Sequence, residues 1–182
     1  MNYYVSDLHF GHPGIIRMCS RPFKNVDDMD ENLVQNWNQH ISENDDVFIL
    51  GDFCYKANNP KKYLSRLHGH KYLVIGNHDG MILKNQECRK HFEDIHDIMT
   101  IKDKNQQIVL CHYPMIEWNG YFRETLHFYG HIHNNTTNDA YRLMSHVKNA
   151  YNVGTDILDF TPRTLEDVIQ YNIQFKERNK TE

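Results

Sequence analysis

"HKYLVIGNHD", residues 70–79, is a short apolar run that stops at a glycine and hands the chain over to Asn77, His78 and Asp79. An uninterrupted run of this length, bounded by polar residues, reads as a buried strand. The same form recurs on both sides. "DDVFILGD" at 45–52 stops at Gly51 and Asp52, and "QQIVLCHYP" at 106–114 runs into His112. "LHFYGHIH" at 126–133 stops at Gly130 before His131 and His133, and Met1 to Ser6 leads into "DLHFGH" with Asp7, His9 and His12. Each strand therefore ends in Asp, Asn or His.

Helical patterns separate the early strands. "VDDMDENLVQNWNQHIS" places Met29, Leu33, Trp37 and Ile41 at i, i+4 steps, with Asp27 as the expected N-cap. "NNPKKYLSRLHG" begins with Asn59 as cap and Pro60 at the first helical position, and is expected to stop at Gly69. A third helix is expected near 164–171, on a face of Leu165, Val168 and Ile169, and the tail "KERNKTE" reads as frayed. Alternating strands and helices imply a largely parallel core sheet, with a more strand-rich stretch from 94 to 154. In such sheets the functional crevice lies beyond the carboxyl ends of the strands, where these polar residues fall.

Composition narrows the function classes. The 182 residues carry 20 Lys+Arg against 24 Asp+Glu, so the overall field does not advertise nucleic-acid or anionic-membrane binding. One domain spanning 1–182 is expected. Cys19, Cys54, Cys88 and Cys111 are scattered without a CxxC pair and read as free thiols, and no apolar segment approaches membrane-spanning length, so a cytoplasmic protein is expected. The oddity is histidine, 13 in all.

Imidazole, carboxylate and amide donors without thiolate suit divalent Mn, Fe, Zn or Ni. Seven such side chains exceed what one ion needs, and two ions sharing a carboxylate at ~3.5–4 Å would use them all. Two divalent ions, two carboxylates and a hydroxide leave a local charge of about +1, which suits a phosphate ester. Set beside this, "HGH" at 68–70 reads as a helix end and strand start rather than a metal site. Tyr113, Trp118, Tyr121 and Phe122 are open to two readings, a pocket wall that stacks on a base or ordinary loop packing.

The ordered set Asp-x-His, Gly-Asp, Gly-Asn-His-Asp, His and Gly-His-x-His, from residue 7 to 133, resembles the calcineurin-like metallophosphoesterase superfamily. "NVGTD" at 152–156 resembles a strand-end segment of its small stand-alone bacterial and phage members. The resemblance implies a four-layer α-β-β-α sandwich with two mixed β-sheets. It implies that Asp7, His9 and His133 hold one metal, that Asn77, His112 and His131 hold a second, and that Asp52 bridges them. His78 is implied as the catalytic group facing the leaving group, oriented by Asp79. His12, Arg21 and Arg123 are candidate substrate contacts, the arginines because a guanidinium fork matches phosphate oxygens.

The expected function is hydrolysis of a small phosphodiester or nucleotide by an enzyme holding two divalent ions, manganese among the candidates, with nucleic acid a partner only as substrate. A phosphomonoesterase and a non-catalytic metal-binding module of the same fold are the alternatives. "GDFCYKA" at 51–57 lacks the arginine that clamps phosphate in protein serine/threonine phosphatases, which disfavours a phosphoprotein substrate.

Overall fold

In the computed structural model of the protein, residues 1–55 and 59–179 are described. The elements are β1 (Asn2–Val5), α1 (Pro13–Met18), α2 (Val26–His40), β2 (Asp46–Ile49), α3 (Lys61–Leu64), β3 (His70–Val74), α4 (Gly80–Lys84), α5 (Gln86–Arg89), β4 (Asp94–His96), β5 (Ile98–Asp103), β6 (Gln106–Cys111), β7 (Leu126–Tyr129), α6 (Asp139–Met144), β8 (Ala150–Asn152) and α7 (Leu165–Arg178). They form two four-stranded sheets, ordered β1-β2-β3-β4 and β5-β6-β7-β8. The first is parallel throughout. The second is mixed: β5 runs antiparallel to β6, and β6, β7 and β8 are parallel.

Side-chain alternation explains the layering. Val5, Val47, Ile49 and Leu73 point to one side of the first sheet and pack with Ile15, Met29, Leu33, Trp37 and Leu64 from α1, α2 and α3. Tyr4, Phe48, Leu50 and Val74 point to the other side and meet Met99, Ile108, Leu110, Leu126 and Phe128 of the second sheet. The outer face of that sheet, with Val109, Tyr129 and Ala150, is covered by Trp118, Ile132 and Met144. The result is the four-layer α-β-β-α sandwich. Helix α7 inserts Leu165 and Val168 into the inter-sheet core and lies against β1 and β8, closing one edge. The segment 153–163 laces that edge: the Ser6 amide donates to Val153 O and the Tyr4 amide to Arg163 O, both at 2.8 Å.

Several boundaries differ from the sequence reading. The N-cap of α2 is Asn25, whose side chain accepts from the Asp28 amide at 2.9 Å, and Asp27 lies inside the first turn. Helix α3 is a single turn without a side-chain cap, followed by looser turns to Leu67. It therefore ends before His68, whose imidazole lies 3.2 Å from Ile41 O. Helix α7 continues through Arg178, so Lys176, Glu177 and Arg178 of the tail expected to fray are helical; residues 180–182 lie outside the described part, as do Lys56 and Ala57 of "GDFCYKA".

Candidate metal centre

All seven candidate ligands lie where strands of the two sheets end. β1 leads to Asp7 and His9, β2 to Asp52 and β3 to Asn77; β6 leads to His112 and β7 to His131 and His133. Among the described residues, three groups of side chains have donor atoms within 4.8 Å of one another; Asp7, His9 and His133 form one and Asp52, His112 and His131 a second, while Cys19, His133 and Asp156 form a third that shares His133 with the first. Asn77 Oδ1 lies 3.1 Å from His112 Nε2, which joins it to the second group. Asp52 Oδ2 lies 3.7 Å from His112 Nε2 and 3.6 Å from His9 Nε2, so one carboxylate oxygen faces both of the first two groups.

The chain reaches this arrangement through unusual backbone geometry. Asp7, His9, Asp52, His131 and His133 all have positive φ, between 50° and 69°. The left-handed region is uncommon outside glycine, although Asp, Asn and His enter it several-fold more often than other residues. Each strand thus turns sharply within one residue and throws a polar side chain into the crevice. The loops are knitted together by backbone bonds: the Asp7 amide donates to Gly51 O, the His9 amide to Asp52 O and the Gly130 amide to His112 O. Gly51, Gly76 and Gly130 permit this close approach. A Cβ on Gly51 would stand 2.6 Å from Gly76 Cα and from His112 Nδ1, and one on Gly130 would fall on the Ser6 hydroxyl and the Asp7 carboxylate.

The donor chemistry fits a cation. Asp7, His9, Asp52 and His112 are all buried, His9 at 2% exposure, and both ring nitrogens of His9 lack a hydrogen-bond partner among the described residues. A buried, unsatisfied imidazole is costly unless something takes its lone pair. Burial, reinforced by the nearby His133 and Arg21, pushes His9 down to about 2 and so keeps the ring neutral, the form that ligates metals. Burial likewise pulls His131 down and pushes the Asp7 carboxyl up. His112 Nδ1 lies 2.7 Å from Leu50 O, which fixes its tautomer and presents Nε2 to the crevice.

His133 has the opposite environment. Burial pulls it down, but the bond between its Nδ1 and Asp156 Oδ2, 2.8 Å long, outweighs this and raises it to about 11. Asp156 in turn is paired with Arg21 at 2.8 Å, and its carboxyl is lowered despite burial. A carboxylate behind a ligating histidine fixes the ring and raises its basicity. Sequence reading left Asp156 unassigned, although it closes the quoted "NVGTD". No spacing rule links it to a histidine 23 positions earlier.

Three expected roles require correction. Asp79 does not orient His78: its two oxygens accept the amides of Asp52, Gly76 and Phe53 at 2.8–3.0 Å, so it braces the loops that carry Asp52 and Asn77. Burial pushes its carboxyl up to about 6 even against those three bonds. His78 is instead fixed by its own amide, which donates to Asp52 Oδ1 at 2.8 Å, while its half-buried ring places Nε2 3.9 Å from Asp52 Oδ2. Arg21 is no substrate clamp. Only 4% exposed, it spends its guanidinium on Asp156 and on the carbonyls of Asp7 and Leu8. Arg123 lies on an exposed turn, Tyr121–Arg123, and no contact with the cluster is found among the described residues. His12, by contrast, lies 5.5 Å from His9, ring to ring, and stacks on Tyr55. Of the aromatic cluster after His112, Tyr113 packs beside His131 at 4.8 Å, whereas Trp118 is buried and Phe122 faces solvent.

No family model matches the chain. The uncharacterized protein MJ1445 of Methanocaldococcus jannaschii aligns over 176 residues at 30% identity, covering 92% of this chain and 89% of that protein. The chain belongs to the family of MJ1445. A protein of unknown function, AQ665 from Aquifex aeolicus, superposes with a TM-score of 0.72 at 28% identity, over 93% of this chain and 98% of that one. The nuclease MPE of Pseudomonas putida matches with a TM-score of 0.49 at 18% identity, over 72% of this chain and 60% of that one. The Asp/His groups of this chain mark a candidate divalent-metal centre. No helix among the described residues is long and apolar enough to cross a membrane.

Proposed function

We propose that the chain is a dinuclear metal-dependent phosphodiesterase. The observation that carries this reading is the position of Asp52 Oδ2, 3.6 Å from a ring nitrogen of one ligand group and 3.7 Å from one of the other, as a carboxylate shared by two ions requires. Asp7, His9 and His133 would hold one ion, and Asn77, His112 and His131 the other. When bound, two divalent ions supply Lewis acidity toward phosphoryl oxygens and acidify water to near neutrality.

The chain's own residues do the rest. His78, at the open side of the cluster, holds the proton on Nε2 that passes to the departing oxygen, a role worth ~10²–10⁴-fold. The amide brace from Asp79 keeps the His78 loop in register with Asp52. His12 and Tyr113 stand beside the cluster as substrate contacts. The engagement of Arg21 with Asp156 supports a diester over a monoester, because a dianionic phosphoryl group calls for a guanidinium clamp that Arg21 cannot supply. We take the substrate to be a small phosphodiester or nucleotide, and manganese to be among the ions that restore activity.

The test is turnover of matched phosphodiester and phosphomonoester substrates by metal-stripped protein refilled with manganese, nickel, zinc or iron, with bound metal counted on the same sample. Activity that rises toward ~2 ions per chain and favours the diester is expected. Saturation at about one ion, or full loading without turnover of either ester, overturns the reading.

A further inference from the structure

The candidate metal centre does not end at its ligands. His131 and His133 form one end of a cleft of about 650 Å³ whose lining continues through Asn134, Asn135, Thr136 and Thr137 to Asn138. A second cleft, of about 640 Å³, shares Thr136 and Thr137 with the first and carries on to Tyr141, Arg142 and Lys176. Either volume alone would house a compact small molecule, so the two together exceed what a single nucleotide needs.

Met18, Ile132 and Ala140 give the first cleft a partly apolar lining. Among the described residues no aspartate or glutamate lines either cleft, although the chain as a whole carries a net charge of −4. The middle of the path is neutral amide and hydroxyl, the side-chain types that hold phosphate and sugar oxygens. Its residues are held in place from within. Asn134 Nδ2 donates to Cys19 O at 3.0 Å, Asn135 Oδ1 accepts from the Thr137 amide at 2.9 Å, and Asn138 Oδ1 accepts from the Tyr141 amide at 2.6 Å. The far end is cationic. Lys176 is half-buried on α7, has no ion pair among the described residues, and its ammonium is pulled down by burial. Arg142 meets Asp139 at 3.2 Å, but both are largely exposed and such a pair is weak enough to yield to a competing anion.

We propose that these joined clefts are a track for a short single-stranded oligonucleotide, with the scissile phosphate at the metal ligands and the following phosphates along residues 134–138 toward Arg142 and Lys176. This deepens, and rests on, the phosphodiesterase reading of the centre. The chain is acidic overall, so the cations at the end of the track supply the local attraction that its net charge withholds.

Binding and chemistry can be tested separately. In chelator-treated buffer, fluorescence anisotropy is measured with labelled dinucleotide and hexanucleotide on the wild type, Lys176→Ala and Arg142→Ala, across a salt series. The hexanucleotide is expected to bind the wild type more tightly than the dinucleotide. Each substitution is expected to weaken the hexanucleotide by roughly 5–10-fold and flatten its salt slope by ~0.7, while leaving the dinucleotide unchanged. Equal affinity of both lengths, or hexanucleotide affinity untouched by either substitution, overturns the track. Turnover of a small chromogenic diester by the same three proteins after metal refilling is expected to be equal. If the wild type itself fails there, the phosphodiesterase reading falls, and the binding data still judge the track on their own.

Discussion

At the scale of single residues, the five candidate ligands with positive φ would carry two burdens, donating to a cation and bending the chain. Alanine at such a position loses the donor and also pays for the left-handed conformation, about 1–2 kcal/mol, whereas glycine loses only the donor. Asp52→Gly is therefore expected to unfold at higher urea than Asp52→Ala when both are metal-free, with metal binding lost equally in the two; identical midpoints would show that the turn is not strained. Asp156→Asn keeps the volume and removes the charge behind His133. Metal affinity should fall by ~10–100-fold in a competitive chelator titration while circular dichroism stays unchanged. His78→Ala should lower kcat by ~10²-fold or more with metal stoichiometry intact, because its ring reaches the centre from the open side.

At the scale of elements, β7 carries a second, hidden function. His127 is fully buried on this strand, its Nε2 accepting the Met115 amide at 3.1 Å and its Nδ1 lying 3.1 Å from Val109 O, so a neutral ring pins the loop that follows His112. Burial pushes it down to about 4. A base depressed in the fold binds its proton more readily when unfolded, so its contribution is complete above pH 6.5 and is lost as pH falls toward 4, to a limit of about 3 kcal/mol. Urea midpoints taken from pH 7.5 to 4.5 should drop less steeply for His127→Gln than for the wild type. The strands themselves were legible because each is an apolar run bounded by glycine or a polar residue, and their polar ends named the candidate ligands. Asp156 and the true role of Asp79 were not legible. Both depend on which groups the fold brings together, the side chains of His133 and Arg21 for Asp156 and three backbone amides for Asp79, and no periodicity encodes that. The α3 boundary was missed for a related reason: apolar spacing continues to Leu67, but the backbone leaves the helix after Leu64.

At the scale of the molecule, the candidate ligands divide between the layers. Asp7, His9, Asp52 and Asn77 follow strands of the parallel sheet, and His112, His131 and His133 follow strands of the mixed one. Ions held by both sets bind the native state and not the unfolded chain, so manganese at ~100 times its dissociation constant should add about 2.7 kcal/mol and raise the melting temperature in calorimetry. Unchanged melting with metal bound would mean that the ligands remain clustered after the sheets part. Beneath the site the sheets are already joined by Phe128, which packs edge-on against Tyr4 at 4.8 Å, and Phe128→Ala should cost about 3–5 kcal/mol in urea unfolding. The segment 153–163 stitches one border, and the chain itself joins the opposite one, passing from β4 to β5 through Asp97 alone. The two sheets are thus like covers sewn along both sides and open only at the strand ends, where the candidate metal centre would be the clasp. Hydrogen exchange on removing the ions should quicken at those strand ends, while the amides along the two sewn borders keep their pace.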